Sequence, residues 1–495
     1  MRLGGLAWLP LCISTALSGE VPDTRREVLP SSAVWIVPGM WVQDIVDVHP
    51  PGTTYLFGPG VHRLQQITPK DGDRFIGTAG ARLSGARVLA GARREGRFHV
   101  LDQPGPIRAA ARHGVCQPDF PLCDRPRALF LDDEPLRPVA RLDDVAPGRW
   151  YLDEETGRVF LAEDPAGRLV ELTVTPFAFG GAARGVTIQG LTVERYASPN
   201  QRGAINDAGA GHGWTIRDNL VRHNYGQGIN LGPRNRAIGN RVHGNGQLGI
   251  GGSGDGILVE GNEIARNAWN GVDCEWECGG AKWGEARGLT VRDNHVFDNG
   301  GTGLWTDENC RDVLFEANRV ERNARAGISH EVSFRAVIRD NVLRGNGAGT
   351  HRWGWRAQIQ VQNASDVMVV GNVVETDRAA GGNGIALIQQ DRGPAYRLRD
   401  VAVLRNDVTM AGGPGFAAGW FADFDPEGVK AGGNRFEANR YRVPDAAAAL
   451  WFANSPVGFA SWQAVGADRA GTAEAVTSAP AGSAPARRAG KPHDR

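Results

Sequence analysis

Residues Asn219-Leu220-Val221-Arg222-His223-Asn224-Tyr225-Gly226-Gln227-Gly228-Ile229 are followed, 21 residues on, by Asn240-Arg241-Val242-His243-Gly244-Asn245-Gly246-Gln247-Leu248-Gly249-Ile250. The two stretches keep a pair of Asn, a Gly and an apolar residue at fixed offsets. The same frame returns at Asn262/Asn267, Asn294/Asn299, Asn318/Asn323 and Asn341/Asn346. In the first five units the second Asn leads, four residues later, to Gly228, Gly249, Gly271, Gly303 and Gly327, and then to Ile229, Ile250, Val272, Leu304 and Ile328. Successive units are 21, 22, 32, 24 and 23 residues apart, so the repeat is about 22 residues long, with a loop of about ten more inserted after Gly271. A unit this short cannot bury a core of its own and has to stack on its neighbours. Gly213 to Val221, Gly256 to Ile264, Gly288 to Val296, Asp312 to Val320 and Arg335 to Leu343 alternate apolar and polar residues, the period of strands rather than helices. The Asn are expected at the bends between strands, tolerating unusual dihedrals and bonding the Asn of the next coil in a ladder.

Outward from this core the pattern weakens but continues through Asn372 and Asn406 to about residue 465. On the other side, Met40 to Val48 places Trp41, Ile45 and Val48 at helical spacing, which suits a short helix capping the first coil. Residues 34–99 read as this cap and the first coils, 100–175 as an inserted small β subdomain, and 176–465 as the solenoid. The insert contains a hairpin with strands Arg149 to Leu152 and Arg158 to Ala162 around Asp153-Glu154-Glu155-Thr156-Gly157. Residues 466–495, rich in Ala, Gly, Pro and Ser, read as a disordered tail.

The amino terminus has one basic residue, Arg2, then an apolar run from Leu6 to Leu17 and the small-x-small ending Ala16-Leu17-Ser18, which reads as a secretory signal over 1–18 with a linker over 19–33. The expected location is therefore outside the cell or periplasmic, where disulfides persist. Five cysteines follow: Cys116, Cys123, Cys274, Cys278 and Cys310, an odd number that leaves one thiol free. Cys116 with Cys123 would staple a loop of the insert. Cys278 and Cys310 stand at equal offsets on consecutive coils and would pair there, with Cys274–Cys278 as the competing bridge. No long apolar run indicates a membrane span. Lys plus Arg and Asp plus Glu both number 55, so there is no strong field to gather nucleic acid.

Counting from the Gly of each unit as zero, offset one is apolar and faces the core, and offsets two and four face outward. Offset four reads Gly232, Ser253, Glu275, Asp307 and Glu331, a column of three carboxylates; offset two adds Asp273 and Trp305. Neighbouring strands lie about 4.8 Å apart, so adjacent acids would be about 5 Å apart and the outer pair about 10 Å. Like charges that close push one pKa upward, and a raised acid beside an ionised one is what glycoside hydrolysis needs. Both the retaining and the inverting separation are represented in this column. His330, beside Glu331, reads equally well as an acid or base in the patch and as a packed core histidine. The same column could instead hold Ca²⁺ for a lyase or epimerase; otherwise no cofactor is indicated. Six of the 14 Trp fall within 87 residues: Trp269, Trp276, Trp283, Trp305, Trp353 and Trp355. Flat rings along a groove stack on sugars, although any one of them could equally be core. Lys282, Arg352 and Arg356, in the same loops, could meet a carboxylate or sulfate on a substrate.

With the Asn-x4-Asn-x3-Gly-apolar units, the opening Val42-Gln43-Asp44 to Pro51-Gly52-Thr53 with Gly60-Val61-His62, and the ending Phe459-Ala460-Ser461-Trp462-Gln463, residues 35 to 465 resemble the secreted right-handed parallel β-helix proteins of the pectate-lyase-like superfamily. The resemblance implies an all-β, right-handed parallel β-helix and activity on polysaccharides as a hydrolase, lyase or epimerase; fold alone does not choose among these. The polygalacturonase, pectate lyase and mannuronan epimerase motif blocks are not matched: Trp305-Thr306-Asp307-Glu308-Asn309 is the nearest approach to the first, and no active site carries over. The expectation is a polysaccharide-degrading glycoside hydrolase using Asp307 and Glu331, tuned by Glu275, with a Ca²⁺-dependent lyase or epimerase and a non-catalytic glycan-binding surface protein as the alternatives.

Overall fold

The computed structural model describes residues 32–103, 112–349, 353–452 and 454–476. The expected signal segment, most of the linker, Arg352 and residues 477–495 lie outside the described residues.

The chain winds as a right-handed parallel β-helix in which each coil contributes a strand to three parallel stacks. The first stack runs through Gln227–Leu231, Leu248–Asp255, Gly279–Arg287, Thr302–Asp307, Ile328–Glu331, Ile359–Gln362 and Ile385–Gln389. The second includes Thr215–Arg217, Arg236–Ile238 and Leu258–Glu260, and the third Leu220–Arg222, Arg241–His243 and Glu263–Ala265. Ile229, Ile250, Ala281, Leu304, Ile328, Ile359 and Ile385 point inward one above another, buried to 1% exposure or less. At about 25 cal/mol per Å² this continuous apolar column is what holds coils that could not fold singly.

The first Asn of each unit stands where the second stack turns into the third, and the second Asn where the third turns into the first. They form two buried ladders. Asn294 is typical: its Nδ2 donates to Asn318 Oδ1 at 2.9 Å and to Val259 O at 3.0 Å, while its Oδ1 accepts from the backbone and side chain of Asn262 at 2.9 and 3.0 Å. The first ladder continues through Asn341, Asn372, Asn406 and Asn439 to Asp468, whose other carboxylate oxygen accepts from Tyr441 Oη at 2.6 Å and Trp462 Nε1 at 3.2 Å. The unusual dihedrals fall one residue earlier than expected. Asp218, His223, Arg266, Asp293, Asp298, Ala317, Arg322 and Asp340 carry φ of +51° to +57°, each just before a ladder Asn. The bend is made by that residue, which leaves the Asn amide free to bond along the axis.

The capping helix is Val42–Val48, with Val42 and Val46 buried, whereas Trp41 and Val48 face outward at 61% and 79% exposure. The inserted sheet starts earlier than residue 100, because Ala86–Leu89 already pairs antiparallel with Val170–Thr173. The hairpin of Arg149–Asp153 with Arg158–Leu161 lies in the same sheet. Order also runs past residue 465: Thr472–Ala475 pairs with Arg440–Val443 as a last rung, so 466–476 are not tail. Among the described residues no helix is long and apolar enough to cross a membrane.

Candidate active site

The first stack carries the groove, and its register decides which side chains meet. Gly279–Arg287 pairs with Thr302–Asp307 so that Ala281 faces Leu304, Lys282 faces Trp305 and Gly284 faces Asp307. Position zero of this coil is therefore Gly280, not Gly271, and the extra residues lie ahead of the strand rather than after its Gly. The outward column becomes Ser253, Gly284, Asp307, Glu331 and Gln362, and its companion becomes Gly251, Lys282, Trp305, Ser329 and Gln360. The column holds two acids, not three.

Glu275 is displaced into the inserted loop, where its exposed carboxylate pairs with Arg325 at 2.6 Å. Asp273 shapes that loop: its Oδ1 accepts from Glu275 N at 2.9 Å and its carbonyl from Trp276 N and Glu277 N. The loop is held from outside by the insert, since Asp273 N donates to Val115 O and Gln117 N to Gly271 O. The bridges are Cys116–Cys123 and Cys274–Cys278. Cys278–Cys310, expected from the earlier register, does not form. Cys310 is turned into the core, its Sγ 3.3 Å from the carbonyls of Trp283 and Asp307, and burial pushes its thiol up to about 11.

His330 also faces inward. It is fully buried, with Nδ1 at 2.8 Å from Thr306 Oγ1, and burial drives its pKa down to about 3. It is a neutral core residue and leaves the patch. Trp283 is likewise fully buried. Trp269 packs on Tyr225 and Phe130 of the insert, with Nε1 donating to Gly244 O at 2.7 Å. Trp353 packs edge-on against Phe421 in an apolar cluster beside the groove.

Trp276, Trp305, Trp355, Arg356, Asp307 and Glu331 do come together, lining a cavity of about 500 Å³ with Arg325, Arg392, Ser329, Gln360 and Gln362, and Glu275 reaches its rim from the inserted loop. Lys282 links three of the surrounding side chains. Its Nζ sits 4.0 Å above the Trp305 ring, 3.2 Å from Asp307 Oδ2 and 3.3 Å from Glu277 Oε2. Burial alone would lower the Lys282 pKa, but Glu277 and Asp307 outweigh it and hold the ammonium above its usual range. Glu331 is hydrogen-bonded by Arg392 at 3.0 Å, yet burial first, and the Asp307 charge on the neighbouring rung second, push its carboxyl up to about 7. Two adjacent carboxylates thus have different surroundings: Asp307 meets a cation, and Glu331 is desolvated.

Several lining residues were not legible beforehand. Glu277, 8% exposed, receives Gln201 Nε2 at 2.9 Å, and Arg325, Arg392 and the Gln360–Gln362 pair stand at positions that the repeat does not single out. One signal was present: Gly280 precedes Gly303 by 23 residues, close to the repeat length, whereas Gly271 precedes it by 32. Among the described residues no three His, Cys, Asp or Glu side chains converge as a metal cluster. Glu275, Asp307 and Glu331 each turn to a basic side chain, so they do not fit the several-oxygen cage that Ca²⁺ requires.

Residues 203–366 match the family described as "Right handed beta helix region". Comparison with curated proteins finds no match. Among solved structures, the complex of XylC with xylose superposes with a TM-score of 0.60 at 15% identity, over 78% of this chain and 84% of that one. The A-module of the Azotobacter vinelandii mannuronan C-5 epimerase AlgE4 gives 0.49 at 13% identity, over 81% and 87%. The three parallel stacks, the inward apolar column, the family match and the superposition agree that this chain is a right-handed parallel β-helix protein.

Proposed function

We propose that the protein is a secreted glycoside hydrolase acting on a polysaccharide, with Glu331 as the proton donor and Asp307 as the nucleophile. The observation that carries this reading is a pair of carboxylates on adjacent rungs of one groove with unlike surroundings, Glu331 raised to about 7 and Asp307 held against Lys282. Near neutral pH, Glu331 keeps a proton for the leaving glycosidic oxygen while the Asp307 carboxylate attacks the anomeric carbon; water then releases the sugar with Glu331 as base. Adjacent rungs about 4.8 Å apart suit retention. Trp276 and Trp355, partly exposed in the cavity lining, offer rings on which sugars stack. Two disulfides in the described residues suit an oxidising compartment.

The test is product formation by purified protein on a polysaccharide panel, with wild type beside Asp307→Asn and Glu331→Gln and with or without EDTA. New reducing ends, unaffected by EDTA and lost in both variants, are the expected result. An unsaturated, ultraviolet-absorbing product that depends on a metal would replace hydrolysis with elimination. Binding with no turnover of any glycan would leave a glycan-binding protein.

A further inference from the structure

The groove has two halves of differing hydrogen-bonding character; Asp307 lines both, and Lys282 lines the second. The half described above is rich in donors. Arg325, Arg356 and Arg392 line it with Glu275, Asp307 and Glu331; Arg325 pairs with Glu275 and Arg392 with Glu331, while Arg356 forms no ion pair among the described residues. Trp305, 92% buried by its 8% exposure, has an Nε1 with no hydrogen-bond partner. A buried donor without an acceptor costs about 1–3 kcal/mol unless a ligand supplies one.

The other half, a cavity of about 330 Å³, is rich in acceptors. Glu277, Glu285, Glu308 and Asp307 line it with Lys282, the one cation of this lining among the described residues, beside Gln227. Gln227 is only 4% exposed, yet its Oε1 has no partner. Gly251, on the next rung, has no side chain, and the Gln227 amide packs into the space that a Cβ there would take. A carboxylate entering this half would meet four acids and an unpaired carbonyl oxygen. A sugar hydroxyl would satisfy them.

We propose that the two halves are subsites of opposite preference: the Gln227 half holds an uncharged, hydroxyl-bearing sugar unit, the arginine half holds an acidic one, and the bond between these units lies across Asp307 and Glu331. This rests on the glycan-binding reading given above and narrows it to chains of mixed charge. A wholly acidic polymer meets repulsion on one side, and a wholly neutral one leaves Arg356 unsatisfied on the other.

The experiment is calorimetric titration of the full chain carrying Glu331→Gln, which removes cleavage from the measurement. Three tetrasaccharides serve as probes: hyaluronan, in which uronate and uncharged units alternate, tetragalacturonate and cellotetraose. The alternating probe is expected to bind at least about ten-fold more tightly than either homopolymer, the effect of one hydrogen bond to a charged group. Adding Arg356→Ala should weaken the alternating and acidic probes about ten-fold and leave cellotetraose unchanged. Adding Gln227→Leu should weaken the alternating probe. Glu308→Lys, a substitution on the exposed rim that does not disturb packing, should tighten tetragalacturonate and so keeps the test open if Gln227→Leu fails to fold. Equal affinity for the three probes, no binding of the alternating one, or a Glu308→Lys variant with unchanged tetragalacturonate affinity overturns the proposal. Binding needs no turnover, so this pattern can stand if wild type releases no reducing ends, and can fail while hydrolysis stands.

Discussion

Glu331 should make the protein less stable as pH rises, and Glu331→Gln should remove that dependence. Its carboxyl goes from an ordinary 4.5 to about 7 in the folded chain, with only 12% of the side chain exposed. A raised carboxyl binds more protons folded than unfolded. Its neutral form is therefore fully accommodated below about pH 4.5, and stability falls as pH climbs through the window up to about 7. At about 1.4 kcal/mol per unit of pKa, the whole window is worth about 3 kcal/mol. Glutamine imitates the protonated acid at every pH, so the variant should gain on wild type by up to about 3 kcal/mol between these two limits and then level off. Urea unfolding of both proteins at a series of pH values measures the difference directly. A difference that stays constant across this range would refute the reasoning, and a wild type that gains on the variant with rising pH would mean the Arg392 pair outweighs burial.

Three further outcomes follow from the same geometry. Arg392→Ala removes the contact that favours ionised Glu331, so the fall in hydrolytic rate that wild type shows as pH rises past about 7 should move to higher pH, as read from pH–rate profiles. Asn294→Ala takes from Asn262 N its buried acceptor and from Val259 O and Asn318 Oδ1 a donor, and should cost about 3 kcal/mol or more in urea unfolding. Trp283→Ala should cost about 3–5 kcal/mol of stability as a core truncation and leave glycan affinity unchanged, whereas Trp305→Ala, buried but on the groove wall, should lower both the unfolding midpoint and glycan affinity.

Much of the architecture was legible because the repeat is a local property of the chain. An Asn that caps a bend and an apolar residue that faces inward are needed in every coil, so they recur in sequence wherever they recur in space. That is why the parallel stacks, the Asn ladders and the adjacency of Asp307 and Glu331 could be read from spacing alone. The same reading misplaced Glu275, because an inserted loop can leave a coil at any point and the repeat length fixes only the sum. Moving the insertion from after Gly271 to before Gly280 takes Glu275 out of the column, puts Lys282 beside Trp305 and separates Cys278 from Cys310.

Taken alone, the sequence determined a stacked solenoid of short strands, its approximate coil boundaries and the pairing of two acids on neighbouring rungs, since strand period and coil length depend on residues near in the chain. Tertiary structure alone decided that His330 and Trp283 are core, that Glu277, Arg325 and Arg392 reach the groove from distant segments, and that Glu331 is desolvated while Asp307 meets Lys282. Burial and electrostatic surroundings are set by every group packed around a side chain, and those groups come from coils and an insert far apart in sequence.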